Sequence, residues 1–304
     1  MNIKSKAAGI SIISNTFLII SKLLVGLFTN SVSIISEAVH SLMDLLAAII
    51  AFFSVKKSAE PADADHQYGH GKYEEASGFA EGALILIAAV YIIYESVEKL
   101  MSWKIDYIDS VAGIVVMALS VIINIFVSKN LFKVAKETDS IALLADAEHL
   151  RTDVMTSAGV LVGLILIKFT GIKILDPIVA ILVALLILKA GFELCSASLN
   201  NLLDSSLPEE DIEKIKEVLT EYSFDKITSY DKLKTRKSGA EKLIEFTLIM
   251  PKDINLNESH RLCDEIEADL KINIFNAFIT IHTEPCDSEC AVCNLKHCDN
   301  FAYS

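Results

Sequence analysis

The sequence lacks several patterns that mark common functional classes. It has no extended run of lysine or arginine and its net charge is −13, so the electrostatic footprint of a nucleic-acid-binding protein is missing. It contains no H-E-x-x-H motif, which argues against the helical zinc site of an intramembrane metalloprotease. Only two of the six cysteines, Cys195 and Cys263, lie outside the last twenty residues. This distribution argues against the disulfide framework of a secreted protein.

Apolar residues, in contrast, are abundant. They make up 52% of the 304 residues, more than a soluble domain usually has, so a membrane protein is the first hypothesis. Of the 40 acidic residues, 20 lie in residues 205–304, which predicts a separate soluble domain there. The N-terminal segment has no small-residue cleavage pattern and is interpreted as a first span and not as a removable signal.

Six apolar segments are long enough to cross about 30 Å of hydrocarbon as helices. Eight lysines near their ends fall on one side of the membrane and four on the other, which predicts that both termini are cytoplasmic. The spans are predicted near 8–29, 32–55, 77–100, 110–132, 141–168 and 175–195. The eight are Lys4, Lys6, Lys56, Lys57, Lys72, Lys129, Lys133 and Lys136, and the four are Lys99, Lys104, Lys168 and Lys173.

The predicted fold is therefore an all-α six-helix transmembrane bundle followed by a cytoplasmic α+β domain. We expect the bundle over residues 1–204, the second domain over 205–285 and a cysteine-rich extension over 286–304. Hydrophobic periodicity in the second domain predicts the order αββαβ, which is typical of a ferredoxin-like or metallochaperone-like domain. Its elements are predicted at 208–221, 226–235, 241–250, 257–271 and 276–284.

Two H-x-x-x-D motifs inside apolar segments are the strongest functional signal. His40 and Asp44 lie in the second span, and His149 and Asp153 lie in the fifth. At i, i+4 spacing both side chains of a pair project from one helix face. Two imidazoles and two carboxylates suit a tetrahedral site for zinc or a similar divalent ion. The alternative is that these groups only hydrogen-bond one another and fix helix packing.

The chain resembles the cation diffusion facilitators, a family of divalent-metal/proton antiporters that includes bacterial zinc and iron efflux proteins. The resemblance runs from the first span to His282. The motifs that carry it, in order, are SVSIISEAVHSLMD, ADADHQYGHGKYE, ADAEHLRTDVMTSAG, LDPIVA, LLDSSLP, TRKSG and IHTEPC.

This resemblance implies a transport site at His40, Asp44, His149 and Asp153. Well-known bacterial iron and zinc members carry Asp where this chain has His40, whereas the zinc-selective vesicular branch has His there. The softer nitrogen ligand favours zinc over manganese, cadmium or iron. The resemblance also implies a homodimer in the plasma (inner) membrane and no enzymatic activity.

A second metal site is implied in the loop between spans two and three, at Asp63, His66 and His70. Its alternative is a solvated polar turn. In the second domain, Asp231, His260, His282 and Glu284 fall where related proteins hold a binuclear zinc site at the dimer interface. Two departures from the family pattern, Asp231 and Thr247, favour one ion per subunit or a weakened pair. The alternative there is scattered surface histidines and acids.

A charge interlock at the dimer interface is implied by the resemblance for Lys72 and Asp204. Its alternative is an ordinary solvated pair. Arg151 lies between the fifth-span ligands in sequence but on roughly the opposite helix face. We expect it to pair with Glu37 or with Glu148.

The C-terminal extension carries four cysteines beside His297. Thiolates at this spacing can enclose a cation tetrahedrally, so a zinc-binding knuckle with a structural or sensory role is predicted. A tail with free thiols is the alternative. The four are Cys286, Cys290, Cys293 and Cys298.

The function that these patterns predict is proton-coupled export of Zn²⁺ by alternating access. Bound Zn²⁺ is expected as transported substrate and also as a regulatory or structural ion. The alternatives are an exporter of Fe²⁺, Mn²⁺, Cd²⁺ or Co²⁺, an uncoupled metal channel, and a membrane-bound metal sensor.

Overall fold

The computed structural model describes residues 3–29, 32–102, 111–170, 175–223 and 227–286. Within these ranges it describes the side chains except at residues 29, 32–40, 43, 99, 102, 111–114, 116–117, 159–170, 175–176 and 223. The chain divides into two units, Met1–Asn200 and Asn201–Ser304.

The described part of the first unit contains six long helices. Several run past the predicted spans: the fourth continues beyond residue 132 and the sixth beyond residue 195. Hydropathy marks the stretch that suits hydrocarbon, whereas a helix continues through polar turns while its backbone bonds persist. The helices are α1 (Ile3–Thr29), α2 (Val32–Ser58), α3 (Tyr73–Ser102), α4 (Val111–Thr138), α5 (Ile141–Thr170) and α6 (Leu175–Leu202).

Four helical segments among the described residues are long and apolar enough to cross a membrane. They lie in α1, α3, α4 and α6, and they confirm a helical membrane domain. The other two helices, α2 and α5, carry the H-x-x-x-D motifs, and the count of six spans stays a prediction. The four segments are Ile3–Phe28, Tyr73–Glu98, Ala118–Thr138 and Pro177–Leu202.

The helical unit turns apolar side chains outward and many polar side chains inward. On α1, Ile13 and Phe17 are exposed, whereas Ser11, Asn15 and Lys22 are buried. Lipid solvates the apolar surface, and the polar groups need partners inside the protein because hydrocarbon supplies none. The buried polar residues of this unit are therefore its first candidates for functional residues.

Helices α3 and α6 approach each other closely along a strip of small residues. A side chain at Gly82 would come within 2.8 Å of the Cys195 Sγ atom, and one at Gly78 within 2.7 Å of the Ser198 Oγ atom. Glycines four residues apart lie on one helix face and allow such close packing between membrane helices.

The second unit has the predicted order of helices and strands. Its elements are α7 (Glu209–Ser223), β1 (Ser229–Ser238), β2 (Glu241–Met250), α8 (Leu256–Asn273) and β3 (Ala277–Pro285). Strand β2 pairs antiparallel with β1 and parallel with β3 in a three-stranded sheet. The first connection is a tight turn at Gly239, whose φ is +61°. The parallel pair requires a crossover, which α8 supplies.

The core of the second unit lies between the sheet and its two helices. Buried residues come from α7, β2 and α8. The Asn255 side chain caps α8 by accepting a hydrogen bond of 3.0 Å from the Glu258 backbone N–H, which satisfies one of the free donors at the start of the helix. The core includes Ile215, Leu219, Ile244, Phe246, Leu248, Leu262, Ile266 and Leu270.

Candidate functional site

The strongest candidate site lies between α2 and α5 in the helical unit. Asp44 of α2 and His149 and Asp153 of α5 present one ligand atom each, and these three atoms all lie within 4.8 Å of one another. Asp44 and His149 are buried, and Asp153 is partly buried. The fourth predicted ligand, His40, belongs to α2, but its side chain lies outside the described residues.

The geometry of this cluster suits a metal ion. The His149 Nε2 atom lies 3.3 Å from the Asp44 Oδ1 atom. Ligand atoms of a tetrahedral zinc site are about 3.3 to 3.6 Å apart, since zinc bonds to nitrogen and oxygen are about 2.0 to 2.2 Å long. A cation placed between these donors would be held by nitrogen and oxygen within reach of both helices.

Helix α1 supports the cluster from one side. The Asn15 side chain donates a hydrogen bond of 3.4 Å to the backbone oxygen of Asp44. One turn away on α2, the Ser41 hydroxyl accepts a hydrogen bond of 2.6 Å from the buried Lys22 ammonium group. These bonds fix the rotation of α2 against α1 and so fix the direction in which Asp44 points.

Two buried acidic residues near this cluster were missed by the sequence analysis. Glu81 of α3 and Asp146 of α5 are both 0% exposed. Each interacts electrostatically with His149. Two signals in the sequence could have identified them. Glu81 is an isolated glutamate in an apolar run, and Asp146 lies three residues before His149, so it is on the face of α5 that carries the candidate metal ligands.

A second cluster lies in the loop between α2 and α3. Asp63, His66 and His70 also present ligand atoms within 4.8 Å of one another. The Asp63 carboxylate lies 3.4 Å from the His66 Nδ1 atom and 3.3 Å from the His70 Nε2 atom. His70 is buried, whereas Asp63 and His66 are exposed. The structure thus brings together all three residues predicted here, and they could hold a divalent ion at the protein surface.

The Asp63 side chain is ordered by the loop backbone. Its Oδ1 atom accepts hydrogen bonds from the backbone N–H groups of His66, at 2.7 Å, and Asp65, at 3.0 Å. The bond from His66 is the largest cause that lowers the pKa of Asp63 below its ordinary value. Asp63 therefore remains ionised at neutral pH.

Helix α3 starts directly after this loop, and Glu74 in its first turn joins several parts of the unit. The buried Glu74 carboxylate accepts hydrogen bonds from Lys4, at 2.8 Å, from Ser58, at 2.9 Å, and from Ser140. These donors belong to α1, to α2 and to the residue before α5, respectively. The end of the loop is thereby attached to three other helices.

In the second unit, three of the singled-out positions lie side by side across the sheet. Asp231 on β1 pairs with Thr247 on β2, and Thr247 pairs with His282 on β3. The His282 Nε2 atom lies 3.6 Å from the Glu284 Oε1 atom. His260 of α8 lies beside Asp264, at 3.8 Å. Within the described part of one chain, the four predicted ligands of this unit do not form a cluster of three or more ligand atoms.

The remaining predicted residues have mixed outcomes. Arg151 is exposed and pairs with Glu148, at 3.0 Å, so one of its two expected partners is confirmed. Asp204 pairs with Arg236, at 3.2 Å, within the second unit, and its interlock with Lys72 stays a prediction. Glu37 has no described side chain.

The cysteine-rich extension is described only at its first residue. Cys286 is partly buried, and its backbone N–H donates a hydrogen bond of 2.8 Å to the Met250 oxygen. The other three predicted ligands, Cys290, Cys293 and Cys298, lie outside the described residues.

Comparison with known proteins identifies the family of this chain. The cation efflux transmembrane domain model matches residues 8–203, and the model of the cation efflux protein cytoplasmic domain matches residues 207–286. An uncharacterized transporter of Synechocystis sp. is 36% identical over 258 residues, which cover 84% of this chain and 82% of the relative. The cation-efflux pump FieF of Shewanella oneidensis is 29% identical over 283 residues, which cover 93% of this chain and 94% of the pump.

One similar solved structure is described as that of a candidate zinc transporter, CzrB. Its sequence is 37% identical to this chain, and the match covers 27% of this chain and 99% of the chain in that structure, with a TM-score of 0.26. The family matches confirm the resemblance that the motifs indicate and identify a transporter, not an enzyme. The chain belongs to the cation efflux family, the cation diffusion facilitators, and its function is divalent metal efflux.

Proposed function

We propose that this protein exports Zn²⁺ from the cytoplasm in exchange for protons, through a site formed by His40, Asp44, His149 and Asp153. The observation that carries the proposal is the convergence of Asp44, His149 and Asp153 from α2 and α5, with ligand atoms within 4.8 Å of one another. His40 completes the set by its position one turn before Asp44 on α2.

The choice of zinc rests on the ligands. Two imidazoles and two carboxylates form a tetrahedral set of borderline-soft and hard donors, which suits Zn²⁺ better than Mn²⁺ or Mg²⁺, because those ions prefer all-oxygen octahedral sites. Replacing one imidazole by a carboxylate would shift this balance toward harder ions.

Proton coupling follows from the chemistry of the same groups. Metal binding requires a neutral imidazole and an ionised carboxylate, so protons and Zn²⁺ compete for the same lone pairs. In the proposed cycle, Zn²⁺ enters from the cytoplasm and the ligands replace its water shell. Helix tilting then opens the site to the other side, where protons displace the ion.

The proposed orientation places both termini and the α2–α3 loop in the cytoplasm, with six spans in the plasma (inner) membrane. The lysine distribution supports it. In this orientation the loop cluster of Asp63, His66 and His70 is a second metal site that helps the loop close. The proposed domains are 1–204, 205–285 and 286–304.

The second unit is proposed to form the homodimer contact and to bind regulatory or structural zinc there. Its support is the row of Asp231, Thr247 and His282 across one sheet, with Asp231 and His282 exposed. Such side chains can complete a site with ligands from a second subunit. The cysteines of the extension are proposed to bind zinc as a separate knuckle.

Zinc uptake into inverted membrane vesicles with an imposed pH gradient tests the main proposal. Asp153→Ala should abolish uptake while the purified protein keeps its elution volume and helical circular dichroism. The matched control is Glu193→Ala, which removes an exposed carboxylate of α6 paired only with Lys189 at 3.7 Å among the contacts described. The control should transport like the wild type.

The same assay separates the rival functions. Zinc uptake that does not depend on the pH gradient would indicate an uncoupled channel. No zinc uptake at any pH gradient would indicate a sensor. Competition with Fe²⁺, Mn²⁺, Cd²⁺ and Co²⁺ in proteoliposomes measures selectivity. Normal transport by Asp153→Ala would refute the proposed site.

A further inference from the structure

Four carboxylates in the described part of the helical unit are enclosed more completely than the predicted metal ligands, and two of them, Glu81 and Asp146, interact with His149. Glu81 of α3 and Asp146 of α5 are both 0% exposed, compared with 6% for Asp44 and 9% for His149. Neither Glu81 nor Asp146 belongs to the cluster of Asp44, His149 and Asp153. They therefore need a separate explanation.

The two carboxylates lie at the same depth in the helical unit. Glu74 of α3 accepts a hydrogen bond from Ser140, the residue before α5, so α3 and α5 start at the same level. Glu81 is seven residues after Glu74, and Asp146 is six residues after Ser140. At a rise of about 1.5 Å per residue, each lies roughly 9 to 11 Å below that level. His149 follows one turn deeper on the same face of α5.

The oxygens of these carboxylates are largely unsatisfied. Among the described residues, neither oxygen of Asp146 has a hydrogen-bond partner, and nor does the Oε2 atom of Glu81. The Oε1 atom of Glu81 accepts one hydrogen bond, of 3.2 Å, from Ser77. The Ser11 hydroxyl lies beside Asp146, but neither makes a hydrogen bond of normal geometry with the other.

The electrostatic surroundings of Glu81 and Asp146 would favour a bound cation between them. Burial removes the water that would solvate either carboxylate, the two repel each other when both are ionised, and each also interacts with His149. Asp44 adds a further negative charge that acts on Asp146. Two ionised carboxylates that are buried away from water, with Ser77 as their one hydrogen-bond donor among the described contacts, are costly, and a divalent cation between them would compensate both charges at once.

We propose that Glu81 and Asp146 form a second intramembrane cation site, which holds a divalent metal ion before it reaches Asp44, His149 and Asp153. This inference rests on the proposed function, because the second site would bind the same transported ion at an earlier point on its pathway. Carboxylate oxygens, with the hydroxyls of Ser11 and Ser77 nearby, form an all-oxygen set. Such a set suits a divalent ion that keeps part of its water shell.

The site lies between the shared starting level of α3 and α5 and the deeper His149. In the proposed orientation that level faces the cytoplasm, so an ion that enters there would meet Glu81 and Asp146 first. An oxygen site that binds weakly and a nitrogen-containing site that binds more tightly would then act in sequence.

Equilibrium dialysis of the purified full-length chain against radioactive Zn²⁺ tests the proposal by counting bound ions. The double variant Glu81→Gln/Asp146→Asn should bind one ion fewer per chain than the wild type. The variant His149→Ala/Asp153→Ala should also bind one fewer, and the quadruple variant two fewer. Zinc bound by the loop, the second unit and the extension is common to all variants and cancels in these differences.

Controls separate ion binding from an effect on folding. Glu81→Asp/Asp146→Glu keeps both carboxylates and should restore the lost ion, whereas Glu193→Gln should not change the count. If the double variant is misfolded, the single variants Glu81→Gln and Asp146→Asn are used, and each should weaken one binding step by roughly tenfold, the change expected from about 1.4 kcal/mol.

Two results would overturn the proposal. One is an unchanged count and affinity in the Glu81→Gln/Asp146→Asn variant, which would leave the carboxylates with protons or a packing role only. The other is a quadruple variant that loses only one ion, which would merge the two sites into one. Absence of zinc flux in the wild-type protein would instead refute the proposed function and leave these ion counts unaffected.

Discussion

The two clusters of candidate metal ligands, Asp44, His149 and Asp153 between the helices (the membrane cluster) and Asp63, His66 and His70 in the loop (the loop cluster), have the same chemistry in opposite settings. The membrane cluster joins residues 105 positions apart, Asp44 and His149, through the packing of α2 against α5. The loop cluster comes from one short turn, and its Asp63 is held by backbone N–H groups two and three residues away. Two residues of the membrane cluster are buried and the third is partly buried, whereas two of the three residues of the loop cluster are exposed.

This difference separates a site that tertiary structure enforces from one that local geometry provides. The membrane cluster can exist only when the helices are packed, and a missing ligand there leaves the other groups without compensation in a low-dielectric interior. At the loop cluster, water can replace a missing ligand at little cost. We therefore expect substitutions at the two clusters to differ strongly in effect.

The largest effect is expected from Asp44→Ala. This change removes a buried charge that faces His149, and breaking such a pair typically costs about 3 to 5 kcal/mol, or more than roughly 100-fold in equilibrium terms. Zinc uptake into inverted vesicles should fall to background. The matched loop variant, Asp63→Ala, should lose only about fivefold in flux, the change expected from about 1 kcal/mol, and equal losses in both variants would contradict the comparison.

A smaller effect is expected from His40→Asp. Exchanging a nitrogen donor for an oxygen donor should move the preference of the membrane site from Zn²⁺ toward Mn²⁺ by roughly tenfold, which corresponds to about 1.4 kcal/mol. Competition flux in proteoliposomes measures the ratio. His66→Asp, the same exchange at the exposed cluster, serves as the control and should leave the transport ratio unchanged.

A still smaller effect is expected from His70→Ala. If the loop cluster only orders the turn, losing one ligand should reduce zinc flux by about fivefold, the change expected from about 1 kcal/mol. Flux at saturating zinc and the zinc concentration at half-maximal flux should be measured together. A complete loss of transport would place the loop ligands on the ion pathway and remove the distinction between the clusters.

The smallest effect concerns the pH dependence of the loop cluster. The folded loop lowers the pKa of Asp63 below its ordinary value, chiefly through the hydrogen bond from the His66 backbone N–H. When folding lowers the pKa of a carboxyl group, that group stabilises the folded state at every pH above its pKa in the unfolded chain. This stabilisation is lost only as the pH falls through the lower pKa of the folded chain. Between pH 5 and 8 the contribution of Asp63 should therefore be constant.

Co²⁺ binding to the loop, followed by its absorption, checks this expectation. Asp63→Asn should weaken Co²⁺ binding at every pH between 5 and 8, because the wild-type carboxylate is ionised over this whole range. Unchanged affinity of Asp63→Asn would contradict a role of Asp63 as a ligand.

The membrane cluster was predictable because helical spacing is visible in sequence. His149 and Asp153 recur at the same spacing as His40 and Asp44, and a repeated polar pair within apolar segments rarely has a purely structural role. The loop cluster was predictable for a related reason, since Asp63, His66 and His70 are close in the chain. In both cases the ligands on one element are set by local geometry.

The structure adds what local geometry cannot determine. Glu81 and Asp146 lie on different helices, and only the packing of α3 beside α5 puts them at one depth. The row of Asp231, Thr247 and His282 likewise depends on the register of three strands. Helix ends differed because hydropathy changes at the membrane surface, several residues before the backbone hydrogen bonding ends.

Glu74 gives the first turn of α3 a role beyond helix initiation. Its carboxylate accepts hydrogen bonds from three separate segments, through Lys4, Ser58 and Ser140. A displacement of the surface loop that moved this turn would strain or break bonds to α1, to α2 and to the start of α5. The helix that carries His149 and Asp153 is therefore linked through Glu74 to the end of the loop that holds Asp63, His66 and His70, at a level roughly 13 Å above His149 at about 1.5 Å per residue.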